Sequence, residues 1–372
     1  MNPVLSFLLG LCGLLVAGHL VVGGASGIGR RFGLTPTVVG LTVVAAGTSA
    51  PELAVVLGAV VADDTELAVG SVIGSNIANI LLVLGLAASF GAIGVTNRVV
   101  RVDIPIMVLT SVAFLVFSLD GMMSRLDGSV LFISLVIFVV WTLRAARKEP
   151  SADPPTDNEA TGPVSVPAAR AGLLGDLARL AIGIGGLGVT SRLVVSGAER
   201  IATSLGIPEL IVGLTIVALG TSAPEIVTTV IAALQGRRDL AVGNAVGSNI
   251  FNILLVLGFS TIVAPNGIAI GVDALELDLP IMVAAAVACL PMVFWDGKLD
   301  RWEGMVFVGY YVAYLVFLVL DATGHRASDP FALVMLGFVV PLTVITVIVV
   351  VLRQRSSRSI SVTTPEIDTI EK

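Results

Sequence analysis

The sequence predicts an all-α, polytopic membrane protein: two inverted five-helix repeats, followed by an eleventh helix. Three observations predict it. The 372 residues are 56% hydrophobic and only 13% charged, with a mean hydropathy of +1.00. The apolar residues come in continuous runs rather than alternating, which excludes a barrel and leaves helices to satisfy the backbone in lipid. The chain also repeats itself at a fixed offset, with an odd number of spans in each copy.

A helix needs about 20 apolar residues to cross a bilayer. Candidate spans lie at 3–22, 36–59, 66–90, 103–119 and 129–143, then at 171–196, 209–234, 240–264, 278–295 and 305–321, with an eleventh at 330–352. The opening stretch has no basic start and no clear cleavage site, so it reads as a first span rather than a signal peptide. The domains expected are a first repeat (1–144), a linker (145–170), a second repeat (171–321), the extra helix (330–352) and a tail (353–372). Linker and tail are poor in apolar residues and read as flexible and cytoplasmic.

Basic residues set the orientation. Arg30 and Arg31, Arg98 and Arg101, Arg144, Arg147 and Lys148, Arg237 and Arg238, Lys298 and Arg301, and Arg353, Arg355 and Arg358 follow the odd-numbered spans. The alternate loops carry few: Arg125, Arg192, Arg200 and Arg326. The positive-inside rule then puts the N-terminus outside and the C-terminus in the cytoplasm of a cell whose plasma membrane holds the protein. Cys12 and Cys289 fall in apolar spans and read as inert packing residues. Trp141, Trp295 and Trp302 sit near span ends, as interface anchors do.

Adding 173 maps Thr48 to Thr221, Glu52 to Glu225, Ser75 to Ser248 and Asn79 to Asn252. Asp103-Ile-Pro matches Asp278-Leu-Pro at an offset of 175, and both aspartates read as helix N-caps before a proline. Five spans per copy insert the second copy upside down. Inverted repeats with broken helices at matching places point to a secondary transporter with a site at the midplane.

The repeated core is Gly47-Thr48-Ser49-Ala50-Pro51-Glu52, returning as Gly220-Thr221-Ser222-Ala223-Pro224-Glu225. An acid at mid-membrane costs roughly 2.5 to 3.5 kcal/mol on insertion scales, so two in matching contexts need a function. Pro51 and Pro224 have no N–H for the carbonyls of Gly47 and Gly220, so each helix should break there and bare those oxygens. Thr and Ser hydroxyls, carbonyls and a carboxylate then make an all-oxygen, negative pocket, which hard cations prefer. A second repeated motif, Gly74-Ser75-Asn76-Ile77-Ala78-Asn79 and Gly247-Ser248-Asn249-Ile250-Phe251-Asn252, puts Ser and Asn four apart on one helix face.

These paired motifs, at matched spacing over roughly residues 1–321, resemble those of the sodium/calcium exchanger family within the calcium/cation antiporters. The resemblance implies ten helices in two inverted repeats, with cation sites between helices two, three, seven and eight. It implies that Glu52 and Glu225 are carboxylates shared by Ca2+ and Na+. Thr48 and Thr221 would offer hydroxyl or carbonyl oxygen, and Ala45 and Ala218 their carbonyls. Ser49, Ser222, Ser75 and Ser248 would be Na+ ligands, completed by Asn79 and Asn252. Some prokaryotic and potassium-dependent members carry Asp where this chain has Asn252, which leaves two carboxylates here and argues against potassium co-transport. The transported ions would be Na+ and Ca2+, with exchange of Ca2+ for H+, K+-dependent Na+/Ca2+ exchange or transport of another divalent ion as the alternatives. No cofactor is expected, and no nucleic-acid or protein partner is readable beside the lipid bilayer.

Two enzyme readings fail on chemistry. Gly23-Gly24-Ala25-Ser26-Gly27-Ile28-Gly29-Arg30 looks like a nucleotide-binding turn, but that turn needs a preceding strand and a βαβ unit, and here it is expected to link two membrane helices. A hydrolase using Ser49 or Ser222 lacks a neighbouring His or Lys as base.

Overall fold

A computed structural model describes residues 2–146, 172–206, 218–290 and 298–325. Nearly all of the linker, the eleventh span, the tail, Trp295 and the start of span seven lie outside the described residues.

Helix α1 (Pro3–Phe32) starts on Asn2, whose Oδ1 accepts the Val4 N–H at 2.9 Å, and stops at Gly33 with φ of 63°. Thr35 caps α2 (Pro36–Thr48), which is bent by 41° from α3 (Ala50–Val61). Asp64 caps α4 (Thr65–Phe90), accepting from Leu67 N–H at 3.0 Å. Then come α5 (Val99–Phe117), α6 (Arg125–Ala146) and α7 (Leu173–Ser204). In the second half, α8 (Ala218–Thr221) breaks before α9 (Ala223–Leu234). They are followed by α10 (Arg238–Val263), α11 (Leu279–Ala288) and α12 (Arg301–Ala322). Seven of these described helices are long and apolar enough to cross a membrane, and the bent α2–α3 pair is an eighth when taken as one span.

The halves are related by contacts that exchange equivalent residues. A methyl on Gly10 would meet Val194 N at 2.7 Å, and one on Gly183, its counterpart at +173, would meet Val21 N at 2.8 Å. Gly24 likewise packs on Asp176 and Leu180, and Gly197 on Pro3 and Phe7. Early residues of α1 therefore face late residues of α7, so these equivalent helices run antiparallel. That is the geometry of inverted halves. Short strands repeat the exchange: β1 (Ile93–Gly94) pairs with β4 (Lys298–Leu299), and β2 (Met122–Met123) with β3 (Ile268–Ala269). Ile93 lies opposite Leu299, and their counterparts Ile268 and Met123 lie opposite each other. Residues up to Leu315 form one compact unit; the described chain from Val316 is the end of α12 and its cap.

Several expectations are corrected. The Gly23–Arg30 stretch is not a link between helices but the last part of α1. Gly24, Gly27 and Gly29 serve packing: a methyl on Gly27 would collide with the Asp176 carboxylate. Asp176 holds Arg31 Nε at 2.8 Å, and Arg237 reaches Ser26 Oγ at 2.7 Å, so this end of α1 is tied to both α7 and α10. Asp103 and Asp278 are not N-caps. Each ends a π-helical turn, Val99–Asp103 and Ala274–Asp278, that carries the helix past the proline; the next N–H, of Ile104 or Leu279, reaches back five residues to Val99 or Ala274. Asp103 lies buried with Arg98 at 3.8 Å, and Asp278 accepts from the Tyr314 hydroxyl at 3.2 Å. Cys289 is buried as expected, but Cys12 is exposed on α1 rather than packed.

Candidate functional site

The bent helix places the first carboxylate. The chain leaves α2 at Ser49 and restarts as α3 at Ala50, with Pro51 as its second residue, so Glu52 sits in the first turn of a new helix inside the bundle. Ser222 and Pro224 do the same for Glu225 at the start of α9. A helix N-terminus favours negative charge. Both glutamates are buried, at 2% and 0% exposure, and their carboxyl groups lie beside each other.

Thr48 joins the halves. Its hydroxyl lies close to Glu225 and at 3.3 Å from Ser248 Oγ and 3.4 Å from Asn244 Oδ1, both on α10. Ser49, Ser222, Ser75, Asn79 and Asn252 are buried as well. Asn79 and Asn252 each open a π-helical turn, Asn79–Leu84 and Asn252–Leu257, directly after the turn bearing Ser75 or Ser248. Such turns re-aim side chains and recur at functional sites. Thr221 is half-buried at the end of α8, which also carries Ala218. The Ala45 carbonyl already accepts from Ser49 N–H at 2.9 Å and Thr48 Oγ1 at 3.4 Å, so both its lone pairs are engaged.

The chemistry of the site lies in the bonds these groups leave unmade. All four oxygens of Glu52 and Glu225 lack a hydrogen bond of ordinary geometry to the described residues. So do Ser49 Oγ, Ser222 Oγ, Ser75 Oγ and both amide atoms of Asn79 and of Asn252. Buried polar atoms are otherwise almost always paired, and each orphan costs about 1–3 kcal/mol. A concentration of orphaned oxygens around two carboxylates fits a positive, oxygen-seeking ligand. Among the described residues no third carboxylate, histidine or cysteine joins them.

One expected bare carbonyl is not bare. Ser191 Oγ on α7 donates to the Gly220 carbonyl that Pro224 cannot serve. The counterpart of Ser191 in the first half is Gly18, which has no hydroxyl. Ser191→Ala should therefore strand a buried carbonyl and cost about 1–3 kcal/mol. Thermal unfolding in detergent reads this, and an unchanged midpoint would show that the bond contributes nothing.

Sequence reasoning passed over Asn76, Asn249, Asn244, Thr228 and Thr229, all buried here. The first two stand inside the second motif, each with an unpaired Oδ1. Helical spacing from Ser248 and Glu225 was the available signal for the others.

Inverted halves that bury paired carboxylates among hydroxyl and amide oxygens define a class, the membrane transporters of cations. The model of the family described as "Sodium/calcium exchanger protein" matches residues 2–144 and 176–320. CaxA of Alkalimonas amylolytica is 39% identical over 83% of this chain and 97% of its own length. The sodium/calcium exchanger MaX1 of Methanosarcina acetivorans is 31% identical over 84% of this chain and 97% of its own. Solved structures of the sodium-calcium exchanger NCX_Mj superpose with a TM-score of 0.72 at 30% identity, covering 85% of this chain and 98% of that one. The chain belongs to the sodium/calcium exchanger family, a family of multi-pass membrane antiporters rather than enzymes.

Proposed function

We propose that this protein exchanges Na+ for Ca2+ across the plasma membrane by alternating access, with Glu52 and Glu225 as carboxylates shared by both ions. The observation that carries the proposal is the contact between two buried carboxyl groups whose four oxygens have no hydrogen-bond partners of ordinary geometry among the described residues. Thr48, Thr221, Ser49, Ser222, Ser75, Ser248, Asn79 and Asn252 supply neutral oxygens around them. The Ala45 and Ala218 carbonyls would join once the broken helices shift.

Charge explains the coupling. Two ionised carboxylates carry −2, which one Ca2+ or two Na+ neutralise. An empty site would have to carry uncompensated charge through a low-dielectric barrier, at a cost of several kcal/mol or more. The protein therefore switches sides when loaded and resists switching when empty. The basic residues Arg30, Arg31, Arg237 and Arg238 mark the cytoplasmic end, and the N-terminus lies outside.

The test is radiolabelled Ca2+ uptake into proteoliposomes preloaded with Na+, with a protonophore present and K+ absent. Uptake should collapse when the Na+ gradient is removed. Uptake that needs a pH gradient or K+ instead would replace this reading with proton-coupled or potassium-dependent exchange.

A further inference from the structure

The two halves differ at a place the repeated motifs do not cover. On α9, Thr228 and Thr229 follow Glu225 by three and four residues. One face therefore carries the carboxylate and, a turn nearer the Arg237 end, both hydroxyls. On α10, Asn244 precedes Ser248 by four and shares its face in the same way. The two helices meet there: Asn244 Nδ2 donates to Thr229 Oγ1 at 2.9 Å, while Asn244 Oδ1 accepts from Thr48 at 3.4 Å. All three side chains are buried.

Thr228 makes the ladder unusual. A buried hydroxyl in a helix ordinarily bonds back to a carbonyl of the preceding turn. Thr42, Ser111 and Thr261 do so in this protein, at 2.6, 2.9 and 2.8 Å. Thr228 Oγ1 has no hydrogen bond among the described residues. Subtracting 173 places Val55, Val56 and Ser71 at the matching positions of the first half. Buried polar side chains thus extend one turn from the carboxylates toward the end marked by Arg30, Arg31 and Arg237, and their counterparts toward the opposite end are mostly valine. Ile231, Ala232 and Leu240 are the buried apolar residues next along the same helices.

We infer that Thr228, Thr229 and Asn244 form an accessory, uncharged cation site on the path between Glu225 and the Arg-rich end. Its ligand class is a partly dehydrated hard cation, Na+ or Ca2+, held by hydroxyl and amide oxygens on its way to the carboxylates. The inference rests on the transport reading. It makes the ion path unequal at its two ends although the halves are repeats.

The test measures half-saturating Ca2+ separately at each face, in vesicles of known orientation, for wild type, T228V/T229V and the mirror variant V55T/V56T. The first variant should raise half-saturation at the Arg-rich face by roughly fivefold, the worth of a lost ligand or two, and leave the other face unchanged. The mirror variant should lower half-saturation at the opposite face alone. Equal shifts at both faces would overturn the inference, because they place the threonines at the shared central site. So would two variants that both behave as wild type. If T228V/T229V does not fold, the mirror variant decides alone. A wild-type protein that moves no Ca2+ would instead refute the transport reading itself.

Discussion

Glu225→Gln is expected to all but abolish Na+-driven Ca2+ uptake, lowering it by roughly 10- to 150-fold or more, while the protein stays folded. The substitution keeps the shape of the side chain and removes one of the two charges proposed to balance Ca2+. Losing a charge-assisted ligand costs about 1.5–3 kcal/mol or more, and each 1.4 kcal/mol is tenfold in binding. Stability should move the other way. Two carboxylates side by side in a buried site repel each other and lack hydrogen bonds, so neutralising one relieves the fold. In cation-free buffer the variant's thermal midpoint should equal or exceed that of wild type. Added Ca2+ should raise the wild-type midpoint, by the ordinary linkage of ligand to folded state, and leave the variant's unmoved. Glu52→Gln should behave alike. Normal exchange in either purified variant would remove the carboxylates from the mechanism.

That pair of residues was legible in the sequence because lipid makes an unexplained acid expensive, and because a repeat at +173 tests each assignment twice. Thr48, Ser75 and Asn79 were legible by the same offset. The broken helices were legible from Pro51 and Pro224, since a missing N–H is a local fact. What the sequence concealed was tertiary. Gly23 to Gly29 reads as a loop by composition, yet Gly24 and Gly27 are small because Leu180 and Asp176 press against them. Asp103 and Asp278 read as caps because a helix usually starts near a proline, and a π-helical turn that bypasses the proline leaves no sequence mark. The Ser191 bond to Gly220 joins residues 29 apart and breaks the repeat, so no offset could reveal it.

The second large effect is expected at Gly243. A methyl there would lie 2.6 Å from the Thr37 carbonyl oxygen and 3.2 Å from Leu41 N. One on Gly40 would lie 2.6 Å from the Leu240 carbonyl oxygen. One on Gly247 would lie 2.8 Å from Leu41 Cα. The obstacles are mostly backbone atoms, which cannot swing aside as a side chain does. Helices α2 and α10 therefore touch main chain to main chain along Gly243 and Gly247, the small-residue spacing that lets membrane helices approach closely. The same contact brings Thr48 to 3.3 Å from Ser248 and 3.4 Å from Asn244. Gly243→Ala should cost about 1–3 kcal/mol through overpacking, and Gly243→Val more. Both should also weaken the Ca2+-induced rise in thermal midpoint, because spreading the helices moves Thr48 away from its partners. Gly70 is the control: it too is a helical glycine, but a methyl there meets nothing within 4 Å. Gly70→Ala should leave the midpoint unchanged or raise it, since alanine gains up to about 1 kcal/mol over glycine inside a helix. The same chemical change at the two positions thus separates packing from helix propensity. A Gly243→Ala protein as stable as Gly70→Ala would mean that α2 and α10 do not need this approach, and the cross-half contacts of Thr48 would lose their structural basis.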